Sequence, residues 1–98
     1  MNRRARLSHP ARTDLIEIWT YVAEGSPEAA DRLIDRIRGR CDVLARTPQM
    51  GRLRPELAEG IRSFPVGRYL ILYRQSRGGI EVARVRGGEM DLSRLFQA

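Results

Sequence analysis

The run Arg68-Tyr69-Leu70-Ile71-Leu72-Tyr73 constrains this chain more than any other stretch. Side chains alternate along a strand, so Tyr69, Ile71 and Tyr73 fall on one face and Leu70 and Leu72 on the other. A strand apolar on both faces needs cover on both. Just upstream, Ile61-Arg62-Ser63-Phe64 is another β-favouring run, and Pro65 and Gly67 punctuate the interval. Pro65 fits position i+1 of a turn begun by Phe64, and Gly67 fits i+3. The sequence therefore predicts a hairpin of Ile61–Phe64 and Arg68–Tyr73.

Cover for one face comes from two helices. Ser8 or His9 can cap the first, Pro10 suits its first turn, and Asp14 sits near the positive end of its dipole. Leu15, Ile18, Trp19 and Val22 recur at i, i+3, i+4 and i+7, which reads as one buried face with Trp19 in the core. Gly25 closes this helix, and Ser26-Pro27-Glu28 opens the next with an N-cap, an N1 proline and an acid. Ala30, Leu33, Ile34, Ile37, Cys41 and Leu44 form its apolar stripe. Glu28 and Arg32 stand in the favourable i, i+4 order, and Thr47-Pro48 ends it. So short a connection makes an αα-hairpin.

The remaining elements are slighter. Arg3–Ser8 alternates weakly and suits a short edge strand, its arginines discouraging stray pairing. Pro48–Gly60 is a constrained loop, Ile80–Arg86 a further strand, and Asp91–Phe96 a short amphipathic tail. The order β-α-α-β-β-β plus a tail predicts an α+β fold: a short N-terminal strand, the helix hairpin and a three-stranded antiparallel meander, in one domain spanning 1–98. Only Leu92, Leu95 and Phe96 remain for the second face of the central strand. They are too few, so part of that face is expected to be a binding surface that another chain covers.

Composition narrows the function. The chain has 98 residues, 42% hydrophobic and 31% charged, the mix of a folded domain and not of a disordered one. No apolar run approaches membrane-spanning length, and no signal-peptide core follows the basic N-terminus, so a cytoplasmic protein is expected. The net charge is +6 and all 18 cationic residues are arginines. Codon bias accounts for the choice over lysine as readily as function does. Either way, a basic surface favours an acidic partner, protein or nucleic acid, and net charge alone does not choose between them.

Catalytic equipment is sparse. One histidine and one cysteine fall short of a zinc ligand set. Cys41 lies on an apolar stripe, where an inert buried thiol is the expected state. His9 stands alone at a helix start, and no glycine motif cradles phosphate. Arg84 and Arg86 share a strand face, and Arg62 and Arg68 flank the hairpin turn, so these four could form a cationic patch beside the uncovered face. RNA cleavage would also need a general base and acid. Only Glu81, Glu89 and Asp91 stand near that strand.

Several of these segments resemble the ParE toxins, within the ParE/RelE superfamily of bacterial toxin–antitoxin systems. Asp14-Leu15-Ile16-Glu17-Ile18-Trp19 with Tyr21-Val22-Ala23-Glu24 looks like that family's first helix, and Ser26-Pro27-Glu28-Ala29-Ala30 like the start of its second. Pro48 to Leu57 and Arg62 to Ile71 resemble its loop and central hairpin. The resemblance runs in order from about Arg6 to Asp91. It implies a small α+β toxin, neutralised by a cognate ParD-like antitoxin whose acidic C-terminal segment folds onto it and supplies the missing cover. The ParE branch is associated with DNA gyrase, the RelE branch with ribosome-dependent cleavage of messenger RNA. RelE-type nucleases use strand arginines, positions that Arg62 or Arg68 and Arg84 could occupy, plus an aromatic or histidine near the C-terminus. Here Gly87 follows Arg86 where many relatives carry histidine, and no Tyr or His lies beyond.

The resemblance therefore favours a non-enzymatic gyrase inhibitor. The alternatives are a RelE-type endoribonuclease or a non-toxic relative kept for antitoxin binding. No cofactor, metal or catalytic residue is assigned, and the chain alone is not expected to bind nucleic acid directly. Contacts to target or antitoxin are expected from Arg62, Arg68, Tyr69, Tyr73, Arg84, Arg86, Leu92, Leu95 and Phe96.

Overall fold

Both helices start at a serine cap with a proline in the first turn, Ser8 with Pro10 and Ser26 with Pro27. In the computed structural model, which describes residues 3–97, Ser8 Oγ accepts the Ala11 N–H at 3.1 Å and Ser26 Oγ accepts the Ala29 N–H at 3.1 Å. Each satisfies an otherwise unpaired donor of the first turn. The helices α1 (His9–Ala23) and α2 (Pro27–Arg46) follow β1 (Arg4–Leu7). Next come a 3-10 turn at Pro48–Met50, then β2 (Arg52–Leu53), β3 (Arg62–Val66), β4 (Tyr69–Ser76) and β5 (Gly79–Gly87). The α+β order read from the sequence is the observed one, with a two-residue strand added inside the expected loop.

The sheet order is β1-β5-β4-β3-β2, antiparallel except that β1 runs parallel to β5 at the edge. The central hairpin differs from expectation at its turn. Val66 pairs with Tyr69, so the loop is Gly67-Arg68 alone, and Pro65 lies inside β3 opposite Leu70. Gly67 has φ 58° and, among the described residues, no non-glycine residue has positive φ. This is the pattern of a II′ turn, whose twist matches the strands it joins. Counting back from the closing pair, Pro65 falls at a position whose nitrogen points away from β4, and β2 reaches only as far as Ser63. A missing N–H costs nothing at an unpaired edge.

Tyr69, Ile71 and Tyr73 share one face of β4, as alternation requires, and meet Ile18, Ile37, Cys41 and Leu44 of the helices together with Ile80, Val82 and Val85 of β5. Each fully buried aliphatic side chain in such a cluster contributes about 1.5–3 kcal/mol. Trp19 corrects the sequence reading. It is 39% exposed, and its indole N–H donates to Asp31 Oδ1 at 2.8 Å, bridging α1 to α2 at the surface. Glu28 and Arg32 form no ion pair.

The second sheet face also differs. Leu72 is 0% exposed in the single chain and Leu92 only 7%. The backbone turns back after β5, with the Gly88 N–H donating to Arg68 O at 2.8 Å and Gly88 lying against Leu70. Leu70, Leu95 and Phe96 stay half-buried. The expected need for an outside cover is therefore met at Leu72 by this chain itself and persists only around these three residues.

Candidate functional site

The outer edge of β5 changes character halfway along. β1 pairs with it as far as Val82, and the Ser8 N–H makes the last ladder bond to Val82 O at 3.0 Å. There the register slips: Tyr73 faces Val82 but Leu72 faces Arg84, leaving Ala83 as a bulge. The Ser8 hydroxyl donates to Ala83 O at 2.7 Å, so the residue that caps α1 also ties it to the bulge. Such bulges re-aim the residues that follow them.

Past the bulge no strand of the described residues covers this edge, and α1 supplies a side chain in its place. Asp14 Oδ2 accepts the Val85 N–H at 3.0 Å. The same carboxylate takes Arg84 through Nε at 2.8 Å and Nη2 at 2.9 Å, and Arg86 Nη1 at 3.4 Å. Asp14 is 3% exposed. Four donors around one buried carboxylate meet the condition under which burying a charge is tolerable. Hydrogen bonding to Asp14 holds the Arg84 guanidinium above its ordinary range. Partial burial opposes this, and the negative charges of Asp14 and Glu17 add to it.

An open cleft of about 230 Å³ lies over this cluster, lined by Asp14, Glu17, Ile18 and Tyr21 of α1, Tyr69 of β4, Val85, Arg86 and Gly87 of β5, and Met90. A neighbouring depression shares Tyr21, Tyr69, Gly87 and Met90 and adds Arg68 and Glu89. Arg86 Nη2 donates to Met90 Sδ at 3.5 Å. Tyr21 is 72% exposed and Met90 49%, so the rim is apolar and accessible over a charged floor. That combination suits a partner's side chains.

Of the residues expected to make contacts, Tyr69 and Arg86 line this cleft and Arg68 the depression beside it, with Arg84 behind them. Arg62 lies elsewhere, its Nη1 donating to Gly51 O at 2.7 Å and Gln49 O at 3.3 Å. Tyr73 must be withdrawn as a contact. It is 0% exposed, and its hydroxyl donates to Pro48 O at 2.7 Å and accepts the Gly51 N–H at 2.8 Å. Burial pushes its phenol up, with the Gly51 bond and the Arg62 charge opposing. A Cβ on Gly51 would collide with that ring. Leu92 is likewise buried, leaving Leu95 and Phe96 as the accessible tail positions.

Sequence reasoning missed Tyr21, Met90 and the role of Asp14. Asp14 had a signal: it stands three residues after Ala11 and four before Ile18, both buried, so it is a carboxylate at an apolar-face position. Tyr21, beside the stripe, is a large aromatic that the core does not use. Chemically, the cleft offers binding but little acid–base capacity. Its acids are Glu17 and the fully engaged Asp14, and no histidine, lysine or cysteine lines it. Cys41 is buried away from it, its thiol pushed up to about 12 by burial, with Asp42 adding and Arg38 opposing.

Residues 5–92 match the family described as the ParE toxin of the type II toxin–antitoxin system, parDE. The chain is similar to Toxin RelE3 of Caulobacter vibrioides, at 32% identity over 86% of this chain and 92% of that protein. It is similar also to Toxin ParE3 of the same organism, at 29% over 88% of this chain and 87% of that one. Among solved structures it superposes on a chain of a chromosomal ParDE toxin–antitoxin system from P. aeruginosa. The TM-score is 0.74 at 22% identity, covering 90% of this chain and 98% of that one.

Proposed function

The chain belongs to the ParE toxin family of type II toxin–antitoxin systems, and from that premise we propose that it acts by binding, with DNA gyrase as its target. A cognate antitoxin with an acidic C-terminal segment neutralises it in the cytoplasm. The observation that carries the binding reading is the state of Arg84. A strand arginine serving RNA cleavage must be free to meet developing charge, whereas Arg84 is held by two hydrogen bonds to a buried carboxylate. The carboxylates beside it are Asp14, whose oxygens are fully engaged, and Glu17, and among the described residues no histidine or lysine lines the cleft. The cleft of Tyr21, Tyr69, Arg86 and Met90 is the contact surface in this reading: its apolar rim takes a partner's side chains, and Arg68 in the depression beside it is the exposed cation that an acidic segment would meet.

The test is a gyrase supercoiling assay with purified chain. Loss of supercoiling or trapping of cleaved gyrase–DNA complexes, relieved by the antitoxin, is expected. Full gyrase activity at saturating chain would refute the target. The second reading, ribosome-dependent cleavage of messenger RNA, draws on the relatives that carry the RelE name. Primer extension on translated messages separates the two: new 5′ ends after induction would favour cleavage.

A further inference from the structure

The second helix carries its charges unevenly. Arg32, Arg36 and Arg40, at i, i+4 and i+8, form one row along its exposed surface. The row faces the β3–β4 hairpin: Arg36 Nη2 lies 3.6 Å from where a Cβ on Gly67 would stand, and the Arg40 guanidinium sits 5.5 Å from the centre of the Phe64 ring. Asp31, Asp35 and Asp42 lie on the opposite flank, toward α1, where Asp31 holds the Trp19 indole. Among the described residues no carboxylate comes within 4.0 Å of the three row arginines. Arg68, exposed at the hairpin turn next to Gly67, stands between the row and the depression that it lines with Tyr21 and Glu89.

We infer that Arg32, Arg36, Arg40 and Arg68 form a track for the phosphate backbone of duplex nucleic acid, which meets the proposed toxin site only at Arg68, in the depression beside the cleft. Four unpaired guanidiniums keep their full charge and their fork of donors. Along the helix they repeat about every 6 Å, against one phosphate per about 3.4 Å of each strand, so each can find its own phosphate. The shape points the same way. Peptide segments dock in grooves or along strand edges, and none of the clefts described above is lined by Arg32, Arg36 or Arg40. The row lies on the exposed surface of a helix about 10–12 Å across, the width that a major groove admits. The sequence alone gives no expectation of direct nucleic-acid contact, because net charge and the strand arginines leave the α2 row out. Arg32, Arg36 and Arg40 lie on one flank of that helix, while Asp31, Asp35 and Asp42 share the other with Arg38.

The experiment measures binding of the full chain to a short labelled DNA duplex by fluorescence anisotropy across a salt series. Four phosphate contacts give a log–log salt slope of about −3.6, so affinity falls roughly 150-fold between 50 and 200 mM salt. The Arg32→Ala/Arg36→Ala/Arg40→Ala variant should fall only roughly 3.5-fold over that range, from a weaker start. The three-lysine variant should keep most of the slope. Arg4→Ala/Arg12→Ala/Arg38→Ala removes the same charge from the groove beside β1 and should behave as the parent does. Circular dichroism and melting confirm that each variant folds. The inference is overturned if the alanine row variant keeps the parental slope, or if the β1-groove variant loses as much. It is also overturned if an oligoglutamate peptide binds the row while duplex DNA does not, which would make the row a protein contact. None of these outcomes depends on gyrase.

Discussion

Arg84 on β5 and Arg36 on α2 are the same side chain in opposite circumstances. Arg84 is held in a bidentate bond to a carboxylate that is 3% exposed. Arg36 stands in solvent with no carboxylate near it. A tied guanidinium contributes to the fold and has little left to offer a ligand. A free one contributes almost nothing to the fold and keeps its charge for a partner. Arg62 belongs with the first kind, since it anchors two loop carbonyls. In a chain whose cations are all arginine, function follows from which of them the fold has already committed.

The largest effect should come from removing the tie itself. Asp14→Ala leaves Arg84, Arg86 and the Val85 N–H without their common acceptor. Breaking a buried pair in this way costs about 3–5 kcal/mol, readable as a lower denaturation midpoint in urea. Arg84→Ala should cost less, because Asp14 keeps Arg86 and Val85, and a double-mutant cycle should return a coupling of about 0.5–3 kcal/mol. If Arg84→Ala proves as harmless as Arg36→Ala, the distinction between tied and free arginines collapses.

Titration sharpens the contrast by isolating groups other than arginine, which stays charged throughout. The Cys41 thiol rises from 9.0 to about 12 in the fold. Below about pH 9 it is protonated in both states and stability is unaffected. Between about pH 9 and about 12 the unfolded chain releases this proton and the folded chain does not. Stability therefore falls across that window, by up to about 4 kcal/mol at 1.36 kcal/mol per unit. Tyr73, also raised, adds a loss at higher pH. Melting from pH 8 to 11 should show the decline, and Cys41→Ala should flatten its lower part. An unchanged slope in that variant would remove the thiol from the account.

These expectations also mark where the sequence was legible. Periodicity located both helices and four of the five strands, because their apolar spacing is local and repeated. It misplaced the hairpin turn, because Pro65 and Gly67 are both turn residues and only the edge position of β3 lets a proline stay in the strand. The two residues of β2 carry no period at all. The site was less legible than the fold, since the Asp14–Arg84 tie joins residues from opposite ends of the chain. Of the residues proposed as contacts, Tyr69 and Arg86 reached the cleft and Arg68 the depression beside it. Tyr73 did not, because alternation reports which face a side chain takes and not how deeply it is buried.

A smaller effect tests the loop that Tyr73 and Arg62 hold together. Tyr73→Phe leaves the buried Gly51 N–H and Pro48 carbonyl without their partner, at a cost of about 1–3 kcal/mol. The loss should appear in equilibrium unfolding, with hydrogen exchange speeding up first at the Gly51 amide. If that amide exchanges no faster than in the parent, the hydroxyl is not what protects it.

The smallest effects fall on the free arginines, and their smallness is the point. Arg32→Ala and Arg36→Ala should each change stability by less than about 0.5 kcal/mol, as exposed positions without partners do. Arg40→Ala should cost slightly more, about 0.5–1 kcal/mol, because its guanidinium lies over Phe64 and shields a half-buried ring. Thermal melts of the three single variants at one salt concentration make the comparison. A cost above 1 kcal/mol at Arg36 would mean that its approach to the Gly67 turn holds the hairpin, and the row would then serve the fold before any ligand. With Arg32 and Arg36 silent and Arg40 nearly so, three exposed arginines on one helix flank are left without a structural task, and their charge is available to an anionic partner.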